Sequence, residues 1–439
     1  MIKPFEVQEF DAIVGNKAFA HNEKYKYMDE AAFADLNKFV REFTENEDNA
    51  DVLDFMKVGY RRNIGDVITI KNYVGLVQMK NGYQVQILPK IYLDNKDEDN
   101  KQTKTIFLNM LKSMKDFPGK AFNTASLKVD RMNLYELFIN MYLQEVRKLV
   151  KHGLKSAYVV VEDNLNYFRG KLLVNQHIKS NLMHKERFFM AHDEFLIDRP
   201  ENRIVKSTLL KLQGLTGSFE NSKEIRQLLV SFELVSPSSN YNADFSKITI
   251  DRNTKDYESL IPWSKVFLMN KSFSTFSGET TSRALLFPME SVYESYVAMK
   301  MKKVFGPDGW HVSSQDKGMH LFDDPKKFKL RPDIVIKKGE RTVILDTKWK
   351  KLVPDARVNY GISQADMYQM YAYSKKYNTS EIWLLYPLNK DMKDKPDIYY
   401  VANDEKSIRT QVNVFFVDVA NIDRSLNELK YRIGEIKEG

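Results

Sequence analysis

The 439-residue sequence contains no cysteine. That absence excludes a disulfide framework, a Cys-ligated zinc site, an iron–sulfur cluster and a thiolate nucleophile. The 7 histidines (His21, His152, His177, His184, His192, His311 and His320) form no H-E-x-x-H or other metal-pair spacing, so a histidine-held zinc is not expected. There is no G-x-x-x-x-G-K-[ST] loop, and the chain is not expected to bind a nucleoside triphosphate by itself. No stretch approaches the roughly 18 consecutive apolar residues that would span a bilayer. The opening residues, MIKPFEVQEFDAIVG, carry acids where a signal peptide needs an apolar core. The expectation is a soluble, cytoplasmic protein with no membrane partner, in which carboxylates must carry any metal.

What is present is mildly basic. Lys plus Arg outnumber Asp plus Glu by 67 to 59, a formal charge of +8, which permits a polyanionic partner without demanding one. At roughly 150 residues per domain the length suggests two or three domains. A helical pattern over Asp29 to Phe43 precedes β-rich text, in which Asn81-Gly82 separates the alternating runs DVITIKNYVGLVQM and YQVQILPKIYL, a strong hairpin signal. The polar run 94–104 reads as an exposed loop and a soft boundary. Two helices are expected between 105 and 153, the second stopped by Lys151, His152 and Gly153. SAYVVVEDN and the text from YFRGKLLVNQHIK to FFMAHDEFLID read as strands and turns, followed by helices at 202–215 and 222–234. A further domain begins near FPMESVYESYV, a helix bounded by Pro288 and by Gly306-Pro307. After it come the apolar strands RPDIVIK, RTVILDTKW, EIWLLYPL and QVNVFFVDV, with helices at 363–377 and 421–436. The fold class is therefore α/β and multi-domain, divided into 1–104, 105–275 and 276–439, the last a small sheet flanked by helices.

The Asp-x-Lys triplet recurs in charged loops of this chain and means little alone. Asp346-Thr347-Lys348 differs because it ends the apolar strand TVILD, which a tight turn at Lys338-Gly339-Glu340 pairs with PDIVI. With Gly339 and Glu340 as the loop residues, Asp333 and Asp346 become direct cross-strand partners, their Cβ atoms about 5 Å apart, and Lys348 projects to the same face. Both faces of this hairpin are apolar, through Val335 and Ile344 on one side and Ile334, Ile336, Val343 and Leu345 on the other, so it should be buried on both sides. Two buried acids so close repel each other and lose hydration. A divalent cation with oxygen ligands, Mg²⁺ or Mn²⁺, resolves that conflict, and an ammonium two residues away can orient an attacking water. Metal-dependent phosphodiester hydrolysis is the leading chemistry. A surface hairpin whose end acids pair with Lys348, Lys350 and Arg331 is the plainer alternative. In SQADMYQMYAYSKKY, Gln364 with Tyr368 and Gln369 with Tyr373 each stand four apart. The tyrosine stripe reads more readily as core packing than as substrate contact, and Lys348, Lys350 and Lys351 equally as a phosphate track or a solvated strand end.

Together RPDIVI, ILDTKWK and DMYQMYAY resemble the PD-(D/E)XK nuclease core, and more narrowly the McrC family, the nuclease subunit of McrBC-type restriction systems. The likeness continues outside that core, in NYVGLVQM…QVQILPKI, YFRGKLLVNQHI, DEFLIDRPENRIVKSTL and FPMESVYESYV. The resemblance implies that Asp333 and Asp346 hold Mg²⁺ (Mn²⁺ as a substitute) and that Lys348 positions the attacking water. It also implies Glu294 as an auxiliary acid and metal ligand, with Glu290 one turn earlier as the alternative, and Gln369 with Tyr373 as the flanking helix motif, with Gln364 as the alternative. It further implies double-stranded DNA as substrate and a McrB-type AAA+ GTPase ring as partner, contacted and stimulated by the N-terminal α+β region, in antiviral restriction. The segments 94–104 and 236–256 stand out as insertions against the family pattern. Two other readings share these residues: a non-catalytic activator or scaffold of the NTPase, and a stand-alone repair nuclease.

Overall fold

The computed structural model describes residues 4–44, 55–79, 83–93, 99–115, 117, 132–269, 283–392, 397–403 and 409–435. It divides into two compact units, one spanning Tyr135–Lys271 and the other joining Ile2–Leu134 to Ser272–Gly439. This partition does not follow the order of the chain.

In the Tyr135–Lys271 unit, helices Pro200–Gln213, Phe219–Val230, Tyr241–Lys247 and Leu260–Met269 accompany the long helix that ends at His152. Pro200 opens its helix at a position where the missing N–H costs nothing. Phe138, Tyr142, Trp263 and Phe267 interlock between the first and last of these helices. Gly153, at φ +86, ends the first helix where the sequence placed a stop. Strands Ala157–Leu165, Phe188–Leu196 and Lys171–Leu172 form a sheet in that order. VNQHIKSN, read as part of a strand-and-turn stretch, is instead a helix, Val174–Asn181. It is too short to show a periodicity, and its end is fixed by the buried Asn181, which bonds Asn164 and His177.

The N-terminal part of the other unit contains two four-stranded sheets. One runs Lys26–Tyr27, Ala12–Val14, Gly65–Ile70, Met56–Arg61; the other Phe5–Gln8, Gln84–Leu88, Tyr73–Gln78, Arg283–Pro288. Helix Glu30–Thr44 contributes Phe33, Leu36, Phe39 and Val40 to their shared core. The expected hairpin is present as antiparallel pairing of Tyr73–Gln78 with Gln84–Leu88; its Asn81-Gly82 tip lies outside the described residues. Strand Arg283–Pro288 pairs with Tyr73–Gln78 from across the chain, which is why the first and last segments form one unit. Gly75 permits that pairing: at φ +143, a Cβ there would fall 1.9 Å from the Leu285 carbonyl oxygen. Part of the polar run 94–104 is not a loop, because the helix Asp99–Leu111 begins inside it. Lys104 is buried against Glu6, at 3.1 Å, so its charge reflects a paired interior position rather than exposure.

Pro288 closes the strand and caps helix Met289–Phe305. Beyond it lies a six-stranded sheet ordered His311–Ser314, Ile334–Lys338, Arg341–Thr347, Glu381–Pro387, Thr410–Val417, Ile398–Ala402. Arg341–Thr347, Glu381–Pro387 and Thr410–Val417 are parallel, and the outer pairings are antiparallel. The four apolar strands were legible; the two at the edges were not, HVSS because it is short and largely polar and IYYVA because it is only five residues long. Helices Gln364–Tyr377 and Ile422–Glu435 complete this part. Among the described residues no helix is long and apolar enough to cross a membrane.

Candidate active site

The central hairpin follows from its sequence. Gly339 takes φ +58 in the turn, Lys338 pairs with Arg341, and the ladder runs without a slip to Ile334 opposite Leu345. Val335, Ile336, Val343, Ile344 and Leu345 are at most 1% exposed, so the hairpin is buried on both faces, each such side chain contributing roughly 2 kcal/mol. One step beyond the last paired residues stand Asp333 and Asp346. Asp333 does not end in solvent: its Oδ2 accepts hydrogen bonds from the Thr347 backbone N–H at 2.7 Å and from Thr347 Oγ1 at 2.6 Å. The side chain thus extends the ladder by one rung and lies beside the strand that carries Asp346.

Asp346 is 1% exposed. Burial and the charge of Asp333 raise its pKa from 3.8 to about 7, against the pull of Lys348. Lys348 Nζ lies 2.7 Å from Asp346 Oδ2. Apart from that ammonium, Oδ2 has no donor among the described residues. A buried carboxylate oxygen served by a single cationic neighbour is an under-satisfied group. Burial also raises Asp333, less far because of the two Thr347 bonds. Lys348 is pulled down by burial, yet the carboxylates of Asp346, Asp366 and Asp333 outweigh this and raise it, keeping it cationic.

Two helices close around this pair. Glu294 is raised by burial and by Asp333, while its Oε1 accepts a 3.0 Å bond from Gln315 Nε2. Glu290, one turn earlier, is exposed and accepts from Asn72 at 3.1 Å, yet its charge also reaches Asp333; Glu294 is the less exposed of the two. On the other side, Gln369 Oε1 receives Lys348 Nζ at 3.4 Å and its Nε2 donates to Tyr373 Oη at 2.7 Å. Gln364 bonds the exposed Tyr368 and has no such link to Lys348. Tyr373 is both core and site: it is 2% exposed, lies in the hydrophobic cluster with Met370 and Tyr377, and is pushed up to about 12 by burial and by Asp346. Lys350 and Lys351 turn elsewhere, Lys350 to the Gly361 carbonyl at 2.6 Å and Lys351 to Asp391 at 2.7 Å.

Three contributors were not anticipated. Asp366 lies 3.6 Å from Lys348; its one-turn spacing from Gln369 was the available signal. Gln315, at φ +51, donates its backbone N–H to the Asp333 carbonyl at 2.8 Å and its side chain to Glu294, with no motif to mark it. Glu9 is fully buried and accepts Trp349 Nε1–H at 3.0 and 3.1 Å on its two oxygens and the Lys90 N–H at 3.1 Å. Trp349, next to Lys348, also packs on Tyr293, next to Glu294, with ring centroids 5.2 Å apart.

Among the described residues no three His, Cys, Asp or Glu side chains stand preassembled around a metal position. The donor set nevertheless fits Mg²⁺, which commonly uses one or two carboxylates and keeps several waters, and the unsatisfied Asp346 Oδ2 is the atom that such an ion would complete.

Residues 68–387 match the family described as McrBC 5-methylcytosine restriction system component. The chain belongs to that family. Its McrC-like character, read from the ordered motifs, agrees with the solved structures. A chain of the Thermococcus gammatolerans assembly of McrB AAA+ hexamers with bound McrC superposes with a TM-score of 0.68 at 21% identity, over 97% of this chain and 100% of that one. A second match, from the Thermococcus gammatolerans McrBC complex, has a TM-score of 0.48 at 21% identity and covers 67% of this chain and 86% of the other. No curated protein sequence matches. This McrBC-family chain thus shares an overall fold with a solved assembly despite low identity.

Proposed function

We propose that this chain is the DNA-cleaving subunit of a McrBC-type restriction system, hydrolysing phosphodiester bonds with Mg²⁺ in a PD-(D/E)XK-type C-terminal domain and acting with, and stimulating, a McrB-type AAA+ GTPase ring. The observation that carries this reading is the pairing of Asp333 and Asp346 at the end of a doubly buried hairpin, with Lys348 2.7 Å from an Asp346 oxygen that has no other donor among the described residues. In this reading Asp333 and Asp346 hold the metal, with Glu294 as the nearby auxiliary acid. Bound there, the metal supplies positive charge and Lewis-acid polarisation at the scissile phosphate. Lys348, kept protonated by its acidic neighbours, orients the attacking water and neutralises charge as the bond breaks. Gln369 and Asp366 hold the ammonium, and Tyr373 holds Gln369. The fold shared with the McrC-containing assembly and the family match support the partner assignment.

The test is cleavage of labelled duplex DNA by the complex assembled with its motor, with NTP hydrolysis measured in parallel. Asp346→Ala is expected to abolish Mg²⁺-dependent cleavage while leaving stimulation of hydrolysis intact. Full cleavage by that variant would remove the assignment. A wild-type complex that stimulates hydrolysis and never cuts would make the chain a scaffold, and efficient cutting by the isolated chain would make it a stand-alone nuclease.

A further inference from the structure

Between the edge strand His311–Ser314 and the catalytic hairpin, the chain leaves the sheet as a two-stranded ribbon, His320–Asp323 paired with Lys326–Lys329. Every residue from Leu321 to Lys329 is exposed. Two kinds of side chain occupy it. Lys327 and Lys329 form no ion pair with any described residue, Lys326 lies in the field of its cross-strand partner Asp323, and the exposed Arg331 follows. Phe322 and Phe328 are 54% and 72% exposed, yet their rings meet edge to face at 5.8 Å. That contact depends on an unusual backbone. Phe328 has φ +57, a region bulky residues rarely enter, and it breaks the alternation that would send neighbouring side chains to opposite faces. The protein therefore holds an aromatic pair out in water, flanked by unpaired cations, at a cost in both backbone strain and unburied apolar surface. An unburied aromatic pair of this kind marks a contact surface.

The ribbon is anchored at the candidate site. Lys376 pairs with Asp323 at 2.7 Å, neutralising an acid of the ribbon from the helix that also carries Gln369. Leu330 N–H bonds the Met319 carbonyl at the ribbon's base, and Gln315 N–H bonds the Asp333 carbonyl beside it. Lys329 stands four positions before Asp333, a reach of at most about 14 Å. A nucleic-acid strand rises about 3.4 Å per nucleotide, so the ribbon stands within about four nucleotides of whatever phosphate lies at Asp333 and Asp346.

We infer that the His320–Lys329 ribbon is a DNA-contacting arm that grips the duplex flanking the scissile phosphate, its lysines on backbone phosphates and the Phe322–Phe328 pair against sugar and base. This rests on the nuclease reading and adds a binding element to it. Cations alone would fit any polyanion, but unpaired cations alternating with exposed aromatic faces fit the chemistry of a nucleic acid, whose phosphates and base faces occur together. Contacts of this type bind without selecting sequence.

The experiment is fluorescence anisotropy of a labelled 30-base-pair duplex with the full chain, without divalent metal, across a salt series. Replacing Lys326, Lys327 and Lys329 by Ala should reduce the slope of log affinity against log salt by about 2 to 3, since each phosphate contact contributes about 0.9. It should do so equally on unrelated sequences. F322A/F328A should weaken binding about tenfold with the slope unchanged. All these positions are exposed, so the variants are expected to fold, and unaltered thermal unfolding checks this. Wild-type affinity and slope in both variants would overturn the inference. So would a loss confined to association with the motor protein, which would make the ribbon a protein contact, and so would a wild-type chain that binds no duplex. None of these results touches the nuclease reading, which stands or falls on Asp346→Ala in the assembled complex.

Discussion

Asp346 and Glu9 are both carboxylates buried almost completely in the same compact unit, and burial raises both, to about 7 and about 8. They differ in what their oxygens meet. Both Glu9 oxygens accept the Trp349 N–H, one also accepts the Lys90 N–H, and no second acid is bonded to them. Asp346 has an oxygen with no donor but an ammonium 2.7 Å away, and lies within the field of Asp333. Burial and a raised pKa therefore do not by themselves mark a metal site. Glu9 is a satisfied interior acceptor that ties the start of the chain to the residue after Lys348, whereas Asp346 is the carboxylate that the proposed function assigns to the metal.

The largest effect that should separate the two is on cleavage. Asp346→Asn is expected to lower the single-turnover rate in the assembled complex about a thousandfold, roughly 4 kcal/mol, while Glu9→Gln, which keeps an acceptor for Trp349, changes it less than about twofold; comparable losses would erase the distinction. Next is stability. Glu9→Ala leaves the buried Trp349 N–H without an acceptor, at about 1–3 kcal/mol, and chemical denaturation should register that loss with or without Mg²⁺. Third, Mg²⁺ at about a hundredfold excess over its dissociation constant should stabilise the wild-type chain by about 2.7 kcal/mol. Thermal shift should show that gain in Glu9→Gln and not in Asp346→Asn, and a gain kept by Asp346→Asn would place the metal elsewhere.

The fourth effect is on pH dependence. A folded carboxyl with a raised pKa keeps a proton that the unfolded chain has released, so stability falls as pH rises from 4.5 to about 8 through Glu9 and from 3.8 to about 7 through Asp346. The decline approaches at most roughly 1.4 kcal/mol per pH unit for each group. Glu9→Gln should flatten its share in Mg²⁺ or in EDTA, whereas Asp346→Asn should flatten its share only in EDTA, where no metal competes with the proton. The smallest expected effect is that of Glu294→Gln, a loss of cleavage of about fivefold, roughly 1 kcal/mol, measured beside Glu290→Gln, which should be near wild type. The reverse order would exchange their roles.

Much of the candidate site was legible because it is local. Hairpin register is set by turn length and by an apolar pattern on both faces, so placing Gly339 and Glu340 in the turn brought Asp333, Asp346 and Lys348 together before any coordinates. Four residues per helical turn likewise linked Gln369 to Tyr373. Gln369 and Glu294 were singled out over Gln364 and Glu290 through the family resemblance alone, since each pair shares composition and periodicity; packing adds that Gln369 meets Lys348 and Glu294 meets Gln315. The helix expected from 105 starts instead at Asp99, inside the polar run, and those first residues read as loop because Lys104 looks solvated until Glu6 is found beside it.

By itself the sequence determined what chemistry was open: without cysteine and with isolated histidines, a metal had to fall to carboxylates, and one buried hairpin offered two of them with a lysine. The tertiary structure alone decided how distant segments meet. Strand Arg283–Pro288 joins the N-terminal sheet, Glu9 reaches Trp349, and Gln315 bridges Asp333 and Glu294. Each of these depends on long-range packing, in which residues far apart in sequence satisfy one another's buried polar groups, and no local period records such a match.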